Sequence, residues 1–224
     1  MSYSVKSWLL ASAMAIGLGA SGAAQAQDAD PSPAAGCPVN HATLVQRLRA
    51  AVAEVGSNHM WGSVVNRDGI VCAVAFSGAN RNSQFPVSRV ISAAKAFTAN
   101  GVSLDGAPLA TVQLYPLTQP RGSLYGLEAG NPVDAQAAYR GPTGRFGTAS
   151  DPMVGKRIGG TITFGGGVAL YTGGSRVVGG VGVSGDTACA DDEVVRDLRR
   201  RLGLVPSASD AGSFGPGANQ HPAC

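Results

Sequence analysis

The chain has 224 residues, of which 44% are hydrophobic and only 14% charged, with 32 glycines and a formal net charge of +3. That hydrophobic share can build one core and excludes a long disordered chain, which needs low hydrophobicity and high net charge. Glycines without a period of three exclude collagen, and the lack of Glu/Lys-rich heptads excludes a coiled coil. A small charge without a Lys/Arg stripe excludes a dedicated nucleic-acid binder.

Residues 1–26 read as a secretory signal. Lys6 gives the positive start, Trp8 to Ala20 is an apolar run, and Ala24-Gln25-Ala26 is a small-x-small cleavage site before Gln27. The run is too short for a stable span, and no later segment is apolar enough for one, so no membrane anchor is expected after cleavage. A periplasmic or secreted location follows. Cys37, Cys72, Cys189 and Cys224 all lie beyond the cleavage site, and an even number in an oxidising compartment implies two disulfides. The scattered His41, His59 and His221 and the absence of C-x-x-C speak against zinc.

Residues 27–38, with Pro31, Pro33 and Pro38, read as a linker, residues 39–205 as the domain, and residues 206–224 as an extended tail. A first helix is expected from Asn40 or Thr43 to about Val55, with Leu44, Val45, Leu48, Ala51, Val52 and Val55 on one face and Gly56 as its C-cap. Met60–Asn66 and Ile70–Phe76 flank Asp68-Gly69, a strong hairpin signal. A second helix is expected from Pro86 to Ala99, burying Val87, Val90, Ile91, Ala94 and Phe97, with Asn100-Gly101 ending it. A short third helix is expected from Pro108 to before Pro116. Residues 116–157 lack periodicity, and a loop that long is expected to act as a lid or a subunit contact. Strands at 160–164, 168–172 and 175–184, turned at Gly173-Gly174, precede a last helix from Cys189 to Leu202. Its Arg196, Arg199, Arg200 and Arg201 are expected to face solvent. The expected fold is therefore α+β: a five-stranded, mostly antiparallel sheet in the order α-β-β-α-α-β-β-β-α, with the N- and C-terminal helices on one face.

Gly180-Val181-Gly182-Val183-Ser184-Gly185 matches G-x-G-x-x-G, but no second parallel strand follows to complete a dinucleotide site. Small residues that let a helix approach the strand are the simpler reading. Gly182-Val183-Ser184-Gly185-Asp186 lacks the last glycine of a hydrolase elbow. Asp186, Asp191, Asp192 and Glu193 suit the positive end of the last helix. His41, in the first turn of the first helix, reads as a surface residue whose ring nitrogen is also able to bind iron.

Lys95-Ala96-Phe97-Thr98-Ala99, Gly165-Gly166-Gly167 and Gly179 to Gly185 occur in that order. The chain resembles the GlcG/HbpS-like haem-binding family in these K-A-x-T-A, G-G and G-x-x-G-V-S-G signatures, over roughly residues 42–204. It is also similar to a secreted subgroup through Val71–Phe76 and Ser184–Asp191, although Asp192 stands where that subgroup often has histidine. The resemblance implies an oligomeric haem-binding or haem-sensing protein, a scavenger of tetrapyrrole, or an enzyme that degrades haem oxidatively. A cofactor-free assembly module is the third reading. Lys95 and Thr98, at i and i+3, would form a pocket wall, with Gly166, Gly167 and Ser184 beside it and His41 on the iron.

The helix and strand lengths bear on the disulfides. A first helix of about 24 Å followed by a returning strand of about 20 Å brings the Asp68-Gly69 hairpin back to where the helix began. This favours Cys37 with Cys72 and Cys189 with Cys224, over Cys37 with Cys224 and Cys72 with Cys189.

Overall fold

The computed structural model describes residues 36–217 and 220–224. The expected signal at 1–26 and most of the 27–38 linker lie outside the described residues. Helix α1 spans His41–Val55; the Asn40 side chain caps it by accepting from the Thr43 N–H at 2.9 Å, and Gly56 closes it in the left-handed region. Strands β1 (Trp61–Asn66) and β2 (Val71–Phe76) form the hairpin. Helices α2 (Ser88–Val102) and α3 (Thr111–Thr118) follow, then the short helices α4 (Leu127–Gly130) and α5 (Ala135–Tyr139). Strands β3 (Gly167–Thr172) and β4 (Arg176–Ser184) and helix α6 (Ala188–Leu202) complete the order.

Among the described residues the sheet has four strands, not five, in the antiparallel order β2-β1-β4-β3. The missing strand is the 160–164 segment. Its N–H groups go to other partners: Thr161 to the Asn131 carbonyl, Ile162 to the Thr98 hydroxyl, and Thr163 to a Glu128 carboxylate oxygen. With its donors satisfied by α2 and the α4 region, the segment has no ladder to join. The 116–157 stretch also carries α4 and α5, so the observed order has two extra short helices where one long loop was expected.

Helices α1 and α6 share one sheet face, where Leu44, Leu48, Val194, Val195 and Leu198 pack on Val64, Val181 and Val183. Helix α2 lies on the other face, with Trp61, Val65, Val90, Ala93 and Ala96 in its core. Successive strand residues alternate between the two faces. Gly180 and Gly182 explain how α2 fits: a Cβ at either would collide with the carbonyl oxygen of Ala96 or Ser92. The glycine run is thus a packing surface for a helix. Helix α2 runs past Asn100-Gly101, and it is buried on more sides than one stripe predicts. Val87 is 48% exposed, whereas Arg89, Ser92, Lys95 and Thr98 are buried, because the sheet covers one side of α2 and the 138–164 segment covers another.

Arg199 is a further correction. It is buried, not solvated, because the C-terminal segment returns over α6 and Asp210 accepts from both of its terminal nitrogens, at 2.6 and 2.7 Å. Arg196 joins the same carboxylate at 3.0 Å. Burial alone would raise the Asp210 carboxyl, but Arg199 and Arg196 outweigh it and hold it below the ordinary carboxylate range. A carboxyl depressed in the folded state adds stability that is complete above its unfolded value near pH 4 and is lost as pH falls below it. The acid limb of a Tm-against-pH curve should therefore be shallower for Asp210→Asn than for the parent. Parallel limbs would show that Asp210 does not carry that stability.

The disulfides are Cys37–Cys72 and Cys189–Cys224, with Cα separations of 5.6 and 6.0 Å. This is the pairing the element lengths favour. Among the described residues no helix is long and apolar enough to cross a membrane.

Candidate functional site

Helix α1 begins at His41, so its first turn presents an imidazole at one end of the domain. The ring Nε2 lies 3.0 Å from the Gly147 carbonyl oxygen. When Nε2 carries the proton and donates to that oxygen, Nδ1 keeps the lone pair and remains basic. Around this ring lies an open cleft of about 550 Å³. Arg49 of α1, Phe76 at the end of β2, Arg81, and Phe146 and Gly147 of the 144–148 loop line it. Among the described residues neither Arg49 nor Arg81 pairs with a carboxylate; Arg49 donates to the Ser77 carbonyl at 3.2 Å and Arg81 to that of Thr143 at 2.6 Å. The cleft thus combines aromatic walls, uncompensated positive charge and one imidazole.

The loop that holds Gly147 is anchored from α2. Arg89 is buried, forms a two-point ion pair with Asp151, and donates to the Ala138 carbonyl at 2.8 Å. Its guanidinium lies 3.7 Å from the Phe146 ring centroid. Asp151 also accepts from the Gly147 N–H at 2.7 Å. Gly147 has φ +77°, and a Cβ there would stand 3.0 Å from Cζ3 of Trp61. The carbonyl that orients His41 is therefore set by a chain of contacts running back to the core.

Lys95 and Thr98 lie elsewhere, inside the fold, not on a cleft wall. The Lys95 side chain has no exposure; its Nζ is 2.6 Å from Asp191 Oδ2 and donates to the Val183 carbonyl at 3.0 Å. It sits 4.6 Å above the Phe164 ring. A Cβ at Gly166, which has φ +110°, would come within 2.7 Å of that Nζ. Thr98 donates to the Ala94 carbonyl at 2.8 Å and accepts from the Ile162 N–H. Gly167 packs on the Lys95 backbone and on Thr111, and Ser184 ends β4 beside Val183. The structure brings Lys95, Gly166, Gly167 and Ser184 into one packed region and leaves His41 apart from them. Burial pushes the Lys95 ammonium down and the Asp191 carboxyl up, each opposed by the partner's charge.

Asp191 was expected only to favour a helix start, and the pairing with Lys95 has no sequence signal beyond its place in the subgroup motif. Arg49, Phe76, Arg81 and Phe146 went unnoticed because no spacing links them to His41. Phe146 beside Gly147 in an otherwise unpatterned loop is the one local hint. His221, expected in an extended tail, is buried against the Tyr115 ring at 4.3 Å. His59 is exposed while Met60 is buried; both lie just before β1 and not in the strand. Among the described residues no cluster of three or more His, Cys, Asp or Glu side chains could hold a metal ion.

The model of the family described as haem degrading protein HbpS-like matches residues 40–199. The solved structure of the Klebsiella pneumoniae protein ORFY is 22% identical, with a TM-score of 0.51, covering 75% of this chain and 92% of its own. A PduOC–haem complex is 21% identical with a TM-score of 0.49, covering 71% of this chain and 89% of its own. HbpS is 16% identical with a TM-score of 0.46, covering 73% and 86%. A comparison with curated protein sequences returns no match.

Proposed function

The chain belongs to the HbpS-like family, and from that premise we propose that it is an exported haem-binding protein that holds the tetrapyrrole in the His41 cleft. The observation that carries this reading is the donor set. An imidazole anchored through Nε2 stands in a cleft of about 550 Å³ with Phe76, Phe146, Arg49 and Arg81. That volume lies in the usual range for cofactor sites. Phe76 and Phe146 offer flat apolar surface to a macrocycle, and the two guanidinium groups suit its propionates. His41 Nδ1 is the group to meet the iron, with the Gly147 carbonyl fixing the ring as second-shell partners do. Bound haem would supply reversible redox and ligand chemistry at its iron; the chain's own residues bind and orient it.

Residues 1–26 complete the reading as an export signal, and two disulfides suit an oxidising compartment. The chain also self-associates in this reading, since Phe85 and Tyr125 are each 69% exposed and a second copy would remove apolar surface from water. Light scattering on the purified protein checks this.

Haemin titrated into the protein should give a saturable Soret band, and His41→Ala should shift its maximum and weaken binding at least tenfold. A spectrum unchanged in His41→Ala would exclude His41 as the ligand. No Soret band in the parent would favour the cofactor-free module. Loss of the band with reductant and oxygen, accompanied by iron release, would make the protein a haem-degrading enzyme.

A further inference from the structure

The two disulfides sit in unlike surroundings. Cys72 is buried in the core that α1 and α6 share. Cys224 is exposed at the end of the chain, and Cys189, the second residue of α6, is half-buried. The first N–H groups of a helix have no partner within it. In α6 the Thr187 side chain takes that of Ala190, and the Cys189 N–H donates to Cys224 Sγ at 3.1 Å. Two carboxylates of the same end are held elsewhere, Asp191 by Lys95 and Asp192 by Arg196, at 2.6 Å each. A sulfur therefore occupies a donor at the positive end of a 15-residue helix.

That bond fastens the segment that returns from Pro206 over α6 and α3. The segment rests on a few contacts. The Ser207 N–H donates to the Gly174 carbonyl at 2.7 Å, Asp210 pairs with Arg196 and Arg199, Gly212 packs against Val112, and His221 lies against Tyr115. Docking also carries a cost, because His221 Nε2 is buried with no hydrogen-bond partner among the described residues. The covalent tie thus holds down a strap whose other contacts are separable from the sheet.

We propose that Cys189–Cys224 is a reactive disulfide, open to exchange with a dithiol reductant, and that its reduction releases the C-terminal strap while Cys37–Cys72 stays closed. A thiolate of the dithiol attacks Cys189 Sγ and forms a mixed disulfide. The Cys189–Cys224 bond breaks, and its electron pair leaves on Cys224 Sγ, which the Cys189 N–H holds as a thiolate until it takes a proton. The second thiol of the reductant then attacks the mixed disulfide and frees Cys189. Two electrons and two protons pass from the dithiol, which ends as a disulfide, to the two cysteines. Accessible disulfides exchange faster than enclosed ones, and Cys72 lies in the core. The exchange is independent of the haem reading.

The test titrates the folded, oxidised protein with dithiothreitol, alkylates the free thiols and locates them by peptide mass spectrometry. Cys189 and Cys224 should become labelled at a dithiol concentration roughly tenfold or more below that needed for Cys37 and Cys72. In the species with two free thiols, subtilisin should cut within residues 206–224 roughly tenfold faster than in the oxidised protein, with residues 39–205 still resistant. A monothiol, glutathione, should be trapped on Cys189. Labelling of all four cysteines together, of Cys37 and Cys72 first, or of none before the protein unfolds would overturn the reactive disulfide. A two-thiol species whose C-terminal segment resists subtilisin as the oxidised protein does would overturn the release of the strap. Glutathione trapped on Cys224 instead would overturn Cys224 as the leaving sulfur.

Discussion

Lys95→Ala should destabilise the protein by about 3–5 kcal/mol, because it leaves the Asp191 carboxylate buried without its counter-charge. The pair ties three elements together: Lys95 is on α2, Asp191 is on α6, and the Val183 carbonyl that also receives the ammonium is on β4. Asp191 reaches back as well, accepting from the Asp186 N–H at 3.1 Å. Losing one charge therefore disturbs the contact between both helical layers and the sheet. Lys95→Met together with Asp191→Leu should recover most of the loss, since buried pairs replaced by apolar residues of similar volume are often neutral. Denaturant unfolding of the parent and the two variants reads this directly. If the single variant is as stable as the parent, the pair contributes nothing; if the double variant is as unstable as the single, loss of packing is the cause. Haem affinity should be unchanged in the folded double variant, because the Lys95 ammonium is fully enclosed. A loss of affinity there would restore Lys95 to the pocket wall expected from its i, i+3 spacing with Thr98.

That contrast shows what the sequence could convey. The motif residues Lys95, Gly166, Gly167, Gly180 and Gly182 identify the family, yet in the fold they mark where α2 meets β3, β4 and the turn before β3. A glycine opposite a helix backbone leaves a strong signature because no other residue fits. A cleft wall leaves a weaker one. His41 and Gly147 stand 106 positions apart, and only the folded chain shows that they touch. The local elements were legible because their signals are local. Asp68-Gly69 turns the hairpin with Gly69 at φ +75°, and Gly56 and Gly203 end α1 and α6 at φ +74° and +69°. The 160–164 segment has the β-branched composition of a strand, but composition does not say where its N–H groups go. Side-chain acceptors from Thr98 and Glu128, distant in sequence, decided that. Arg199 fails the outward expectation for the same reason, since its partner Asp210 arrives from beyond the helix.

The two disulfides should differ in their effect, although each joins cysteines 35 positions apart. Equal separations give equal losses of unfolded-state entropy, about 4 kcal/mol in the chain-entropy picture. The folded sides are not alike. Cys72 belongs to β2 and packs in the core shared by α1 and α6, so the Cys37–Cys72 bond joins the start of the domain to its sheet. Without it no smaller unit can open in place of the whole, and the full loss of about 4 kcal/mol should appear in global unfolding. Cys224 is the last residue, and its bond to Cys189 at the start of α6 closes the segment that returns along that helix. That segment is docked by Asp210 on Arg196 and Arg199 and by His221 against Tyr115. When this bond is absent the segment can undock alone, which caps the loss at its docking energy. Cys37→Ala with Cys72→Ala should therefore shift the global denaturation midpoint more than Cys189→Ala with Cys224→Ala. The second variant should instead become sensitive to limited proteolysis after residue 205 while the rest stays protected. Equal midpoint shifts, with no selective cleavage, would show that the C-terminal segment folds as one unit with the sheet.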